Sequence, residues 1–268
     1  ALAVCLALLC VLAGCNGLQP GATTDPRGPP SVTPAEVPRD MAGGTLAPGL
    51  TDEGVEDAEA LHSAHRRALA NRSVTVGARY DRRFGDGATY ETAATYRFGP
   101  NRTTSSVDVS LDGDPSSPYD RESRWTNGSV TYSRAVLDGS VVYDRRPVTG
   151  PSDGRSYVEY RTEALGGTLA GLRVESVEYV GIVAGQRAYR VHGTLPEGSY
   201  RCTEGGDEVP AAADVGLLVD ERGLVRSVEQ RVTRCRFGPD GNTEETIVSE
   251  VRFGALGETD PTAPEWVA

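Results

Sequence analysis

Five cysteines and three histidines are the side chains of this 268-residue chain best suited to bond-making or metal chemistry, and their spacing decides what each can do. Cys202 in SYRCTEGGD and Cys235 in RVTRCRFGPD have no Cys or His nearby at ligand spacing, which argues against a zinc site. In an exported protein such an even pair favours one disulfide over two free thiols. Closing a loop of that length contributes about 3 to 4 kcal/mol through chain entropy. Glu59, His62 and His65 follow one another at steps of three, which turns the last about 120° from the first around a helix, so the three do not converge on one ion. His192 is too distant in sequence to complete the pair locally. His65 falls on an apolar stripe and reads as a packed, hydrogen-bonded core residue. There is no G-x-S-x-G turn, no phosphate-cradling glycine loop and no cysteine beside a general base. No catalytic residue, metal or cofactor is therefore expected. The acidic loops DPSSPYD and FGPDGNTEE lack the ligand order of an EF-hand and read as solvated surface.

The remaining cysteines belong to the first 15 residues. ALAVCLALLCVLAG holds 14 residues without a charge, too short for the roughly 20 apolar residues of a membrane-spanning helix. It reads as the apolar region of a signal peptide, with no basic segment before it from which to infer the export route. Leu12, Ala13, Gly14 and Cys15 resemble a lipobox, in which small residues fit the signal peptidase and the thiol takes the lipid. The alternative is an ordinary signal peptide that happens to carry a cysteine. Cys5 and Cys10 would leave with the leader. The expected organisation is a signal peptide over 1–14, a lipidated and disordered Pro/Gly/Thr-rich tether over 15–50, a folded domain over 51–256 and a tail over 257–268. The expected location is the extracellular face of the cell membrane, held by lipid on Cys15.

All 27 basic residues are arginine; lysine is absent, and 38 acids leave a net charge of −11. Such a surface repels nucleic acid and anionic membranes at low salt and stays soluble where salt screens its self-repulsion. The composition resembles that of proteins from extremely halophilic archaea, although a GC-rich bacterial genome also favours arginine codons. Asn71-Arg72-Ser73, Asn101-Arg102-Thr103 and Asn127-Gly128-Ser129 fit the N-glycosylation acceptor pattern of exported proteins. Asn127 is equally well placed as a turn residue.

The elements that must position these side chains begin with one helix, EDAEALHSAHRRALANR. Asp57 caps it, Asn71 ends it, and Leu61, Ala64, His65, Ala68 and Leu69 form one apolar stripe. Alternation with period two follows: Val74, Val76, Ala78, Tyr80 and Phe84, then Tyr90, Ala94, Tyr96 and Phe98, then Val107, Val109 and Leu111. Asn127-Gly128 predicts a type I′ hairpin. Val141 with Tyr143, and Tyr157 with Tyr160, read as further short strands. A second helix, weakened by Gly166 and Gly167, is expected through RTEALGGTLAGL, and DVGLLVDERGLVRSVEQRV is a hairpin turning at Asp220 to Gly223. The fold class is α+β: a curved antiparallel half-barrel of about ten strands with an N-terminal and a mid-chain helix.

GVEDAEALHSAHRRALANRSVTV and GLLVDERGLVRSVEQRV, in this order around a long meander and a helical crossing, resemble the LolA-type carrier fold, which mycobacterial lipoproteins of the LppX and LprG kind share. With LAGC and the Pro-Thr tether, nearly the whole chain also resembles a group of uncharacterised haloarchaeal lipoproteins. The resemblance implies a half-barrel that holds lipid beneath helices. Val74, Val76, Tyr80, Phe84, Tyr90, Tyr96 and Phe98 are then the candidates to face a lipid or other hydrophobic small molecule. Two further readings are a non-catalytic surface interaction or structural module with a filled core, and, with least support, an exported hydrolase. No protein partner can be named from the sequence.

Overall fold

The computed structural model describes residues 44–113, 119–149, 153–202, 208–238 and 241–267. Cys15, the leader and the tether up to residue 43 lie outside the described residues. In chain order the elements are β1 (Thr45–Ala47), β2 (Leu50–Thr51), α1 (Ala58–Leu69), β3 (Val74–Phe84), β4 (Thr89–Phe98), β5 (Ser105–Asp112), β6 (Arg121–Thr126), β7 (Val130–Leu137), β8 (Ser140–Pro147), α2 (Asp153–Gly171), β9 (Arg173–Val183), β10 (Gln186–Cys202), β11 (Glu208–Asp220), β12 (Val225–Gly238) and β13 (Gly241–Gly254), with a 3-10 turn at Glu265–Val267.

The large sheet has 11 strands in the order β8-β7-β6-β5-β4-β3-β13-β12-β11-β10-β9. Two meanders, β3–β8 and β9–β13, meet where β3 pairs antiparallel with β13. The chain leaves one edge at β8 and re-enters at the opposite edge, β9, so α2 must carry it across. Its 19 residues give about 28 Å of helix, against a flat sheet width of roughly 48 Å at strand spacing. The sheet is accordingly rolled but not closed, with both helices against its inner face.

The first helix forms as its sequence dictates. Asp57 accepts a hydrogen bond from the Ala60 N–H at 2.9 Å, Asn71 takes the left-handed conformation after the cap, and Leu61, Ala64, His65 and Leu69 are buried. On the sheet, Val74, Val76 and Ala78 join Ala94, Phe98, Val251, Phe253 and Leu69 of α1 in one core cluster. A second cluster gathers Leu61, Leu165, Leu169, Tyr189, Val191, Leu217 and Val219.

Several expectations are corrected. Residues 45–50 are not tether: Ala47 and Leu50 are buried in the second cluster, and the Gly49 carbonyl accepts from the Glu56 and Asp57 N–H groups. The few apolar residues of GTLAPGL suffice to seat this ribbon against α1. The loop between β6 and β7 has three residues, with only Gly128 at positive φ, so it is not a type I′ turn; the Asn127 side chain accepts from the Ser129 and Val130 N–H groups instead. Tyr157 and Tyr160 are not strand residues but lie on α2. Residues 257–266 are a packed strap. Thr75, which alternates with the inward Val74 and Val76, bonds Thr259 at 2.9 Å; the Trp125 indole donates to the Pro261 carbonyl at 2.9 Å; and the Trp266 ring lies 6.3 Å from Tyr143.

Cys202 of β10 and Cys235 of β12 form a disulfide. The two strands flank β11, which leaves β12 beyond Asp214, and there the Thr233 N–H donates to the Ser199 hydroxyl across the space vacated. Reduction is expected to remove about 3 to 4 kcal/mol of stability, the loop-closure entropy of a separation of 33 residues. Denaturation with and without a phosphine reductant measures it, and superimposable curves would contradict it.

Candidate ligand-binding site

The inner face of the sheet and α2 face one another along a seam, and among the described side chains of α2 those buried in the core clusters are Val158, Leu165 and Leu169. Val158 packs into the first core cluster while Leu165 and Leu169 enter the second. Tyr157 and Arg161, one turn apart on the same side of the helix, lean over the strands instead. The Tyr157 ring stacks on Tyr96 with centroids 3.9 Å apart, and its hydroxyl lies 3.3 Å from that of Tyr80. Arg161 Nε donates to the Tyr157 hydroxyl at 3.1 Å. Burial raises the Tyr157 pKa above the usual phenol value, with Tyr96 beside it adding to the shift, and burial likewise raises that of Tyr96. Both phenols stay protonated and able to donate. Burial alone pulls the Arg161 pKa below its ordinary value.

Beneath α2 the seam holds a gap of about 40 Å³, lined among others by Arg161, Leu165, Val228, Val251 and Phe253. That is room for a water molecule rather than the roughly 300 to 1,000 Å³ of a ligand pocket. A larger cleft of about 380 Å³ lies between the C-terminal end of α1, α2 and the β4–β5 turn, and its lining is mixed, with His62, Arg66, Asn101, Arg102 and Glu159 beside Leu69 and Val158. A groove of about 590 Å³ on the outer face is lined by Arg190, His192, Glu229, Glu250 and Arg252.

The residues expected to face a ligand separate accordingly. Val74, Val76 and Phe98 are fully buried in the core cluster under the helices and line none of the three cavities described above. Phe84 and Tyr90 meet edge to face, with centroids 5.1 Å apart, at the far end of β3. Only Tyr80 and Tyr96 reach the seam. Its other members are Tyr157, Tyr160 and Arg161: the aromatic pair suggests a strand, and the helical signal that extends α2 back over it is the period of Val158, Leu165 and Leu169, at i, i+7 and i+11.

His65 is buried with its Nδ1 accepting from the Val225 N–H at 3.3 Å, and its ring stands edge-on to Phe253. His62 donates through Nε2 to the Thr162 carbonyl at 2.9 Å, tying α1 to α2. Among the described residues no group of three His, Cys, Asp or Glu side chains is placed to hold a metal ion. Of the sequon asparagines, Asn71 and Asn101 are exposed on the rim of the mixed cleft, whereas the hydroxyl of Ser73 is buried and accepts from the Thr259 N–H.

The helices cross where Gly166 meets His62: a Cβ there would lie 2.9 Å from the imidazole ring, while at Gly167 it would meet nothing. Gly166→Val is expected to cost about 1 to 3 kcal/mol through overpacking. Gly167→Ala is expected to stabilise by about 0.5 to 1 kcal/mol through helix propensity. Thermal unfolding of the two variants decides it, and shifts of the same sign would refute the close crossing.

No family model and no curated protein matches the sequence. Among solved structures, the lipoprotein LppX of Mycobacterium tuberculosis is 14% identical over 74% of this chain and 96% of its own, with a TM-score of 0.34. A LolA superfamily protein from Nitrosomonas europaea is 12% identical over 77% of this chain and 96% of its own, with a TM-score of 0.24. Likenesses at these scores carry no weight for function.

Proposed function

We propose that this chain is a non-catalytic cell-envelope lipoprotein, anchored by lipid on Cys15 at the outer face of the membrane, that binds a hydrophobic ligand between α2 and the inner face of the sheet. The observation that supports the reading is the seam itself. A wide antiparallel sheet offers an apolar inner face, and the element covering it at Tyr80 and Tyr96 is a helix that, among its described side chains, buries Val158, Leu165 and Leu169 and leaves Tyr160 60% exposed. A helix held by so few buried contacts belongs to the low-stability end of a fold. With a gap of about 40 Å³, a ligand enters only as α2 lifts. No helix among the described residues is long and apolar enough to cross a membrane.

The small gap also favours the second reading, a surface interaction or structural module with its hollow permanently filled. One experiment separates the two. Protein purified from its own cells without detergent is extracted with organic solvent for mass spectrometry, and its hydrogen exchange is followed. The carrier reading expects a co-purifying apolar molecule and α2 amides that exchange faster than those of β3 and β13, slowing when the extract is added back. Empty protein with α2 protected as well as β3 would leave the filled module.

A further inference from the structure

Arg161 stands in the seam without a counter-charge. Its guanidinium lies 5.1 Å from the centre of the Tyr80 ring, 5.2 Å from Tyr157 and 5.4 Å from Tyr160. Several arginines of the sheet face carboxylates instead, as Arg79 does Asp81 and Glu91, Arg97 does Asp108 and Arg226 does Asp220. Among the described residues no carboxylate pairs with Arg161; its one hydrogen bond goes to the Tyr157 hydroxyl.

The hydrogen-bond balance of the cluster is therefore one-sided. A guanidinium carries five N–H donors and no acceptor. The Tyr157 hydroxyl meets those of both Tyr80 and Tyr96, two bonds among three hydroxyls, so one O–H is left to point elsewhere. Several donors and a positive charge converge in a half-buried place where, among the described residues, no carboxylate pairs with the guanidinium and its one hydrogen-bond acceptor is a phenol oxygen. Such an arrangement best fits a carboxylate or phosphate oxygen, whose charge-assisted bonds are about twice as strong as neutral ones. Arg161 also lines the gap that runs under α2 past Leu165, Val228, Val251 and Phe253. Arg161 thus stands at one end of a mixed path, in which Thr168, Gln230 and Ser249 accompany these apolar side chains.

We infer that Arg161, with the hydroxyls of Tyr80 and Tyr157, is the head-group site for an anionic amphiphile, a carboxylate or phosphate whose chain runs beneath α2. This rests on the proposed reading that α2 covers a hydrophobic ligand. The net charge of −11 repels any anion at low salt, so binding is best measured near 1 M salt, where the Debye length of about 3 Å leaves only contact pairs.

The test uses the full chain and three probes: the fluorescent fatty acid cis-parinaric acid, its methyl ester, and inorganic phosphate. The acid is expected to bind at least about tenfold more tightly than the ester, the order of magnitude of hydrogen bonds to a charged group. Arg161→Gln is expected to remove that preference by lowering acid affinity much more than ester affinity, the retained ester binding also showing that the variant is folded. Tyr157→Phe is expected to lower acid affinity by a smaller factor. Equal affinity of the unaltered protein for acid and ester overturns the head-group site but not the hydrophobic hollow. Ester affinity falling as much as acid affinity in Arg161→Gln overturns it too, since the residue would then merely hold the seam together. Phosphate binding that needs Arg161, with neither lipid probe bound, keeps the anion site and removes the hydrophobic reading. No binding of any probe removes both.

Discussion

Replacing Asp220 by alanine is expected to remove about 3 to 5 kcal/mol of folding stability, the cost of leaving a buried charge without its partner. Asp220 is 2% exposed at the turn between β11 and β12, and its Oδ1 accepts from the Arg222 and Leu224 N–H groups at 3.1 Å each. Its Oδ2 lies 2.9 Å from Arg226 Nη2, and the Arg226 side chain is itself only 16% exposed. Arg226 Nε is already buried without a hydrogen-bond partner, so losing the carboxylate would strand the whole guanidinium. The turn is seated on α1 as well. Gly223 has φ +82°, and a Cβ there would come within 2.6 Å of that of Ala64. Asp220→Asn keeps an acceptor for the turn but not the charge, and a smaller loss of about 1 to 3 kcal/mol is expected. Urea denaturation in molar salt measures both. An alanine variant within 1 kcal/mol of the parent would show that the pair is not needed.

The second large effect is an acid sensitivity set by His65. Burial, helped by the nearby His62, lowers its pKa from 6.5 to about 3, so the folded protein keeps the imidazole neutral. The unfolded chain takes up a proton near pH 6.5 and the folded one does not. Stability is thus full above pH 6.5 and falls by about 1.4 kcal/mol per pH unit below it, towards a total of about 4 to 5 kcal/mol at pH 3. His65→Gln can still accept from the Val225 N–H and does not titrate. Relative to this variant, the parent is expected to lose about 2 kcal/mol more between pH 6.5 and 4.5. Parallel stability profiles over that range would refute a neutral, buried His65.

Both effects arise from positions whose roles differ in how far the sequence discloses them. The stripe holding His65 and the turn from Asp220 to Gly223 are legible because local patterns, a 3.6-residue period and a turn chemistry, coincide with what is buried. The alternating strands, the α+β class and the paired cysteines are legible for the same reason. Arg161 is not. It is one of 27 basic residues, and only the crossing of α2 shows that it lacks a carboxylate. For Val74, Val76 and Phe98 alternation tells which side of the sheet they take and not that α1 and α2 lie over them. The strap over 257–266 and the ribbon over 45–51 have too few apolar residues to announce packing that depends on distant strands.

The pairing of β3 with β13 has a temporal consequence. The first long strand of the domain finds its second neighbour only in the last one, some 170 residues later, and such distant contacts slow folding. A chain synthesised and exported amino-terminus first would present β3 with one side unsatisfied until β13 arrives. The centre of the sheet is thus closed at the end, and anything that holds the early half soluble during transit acts on that waiting edge.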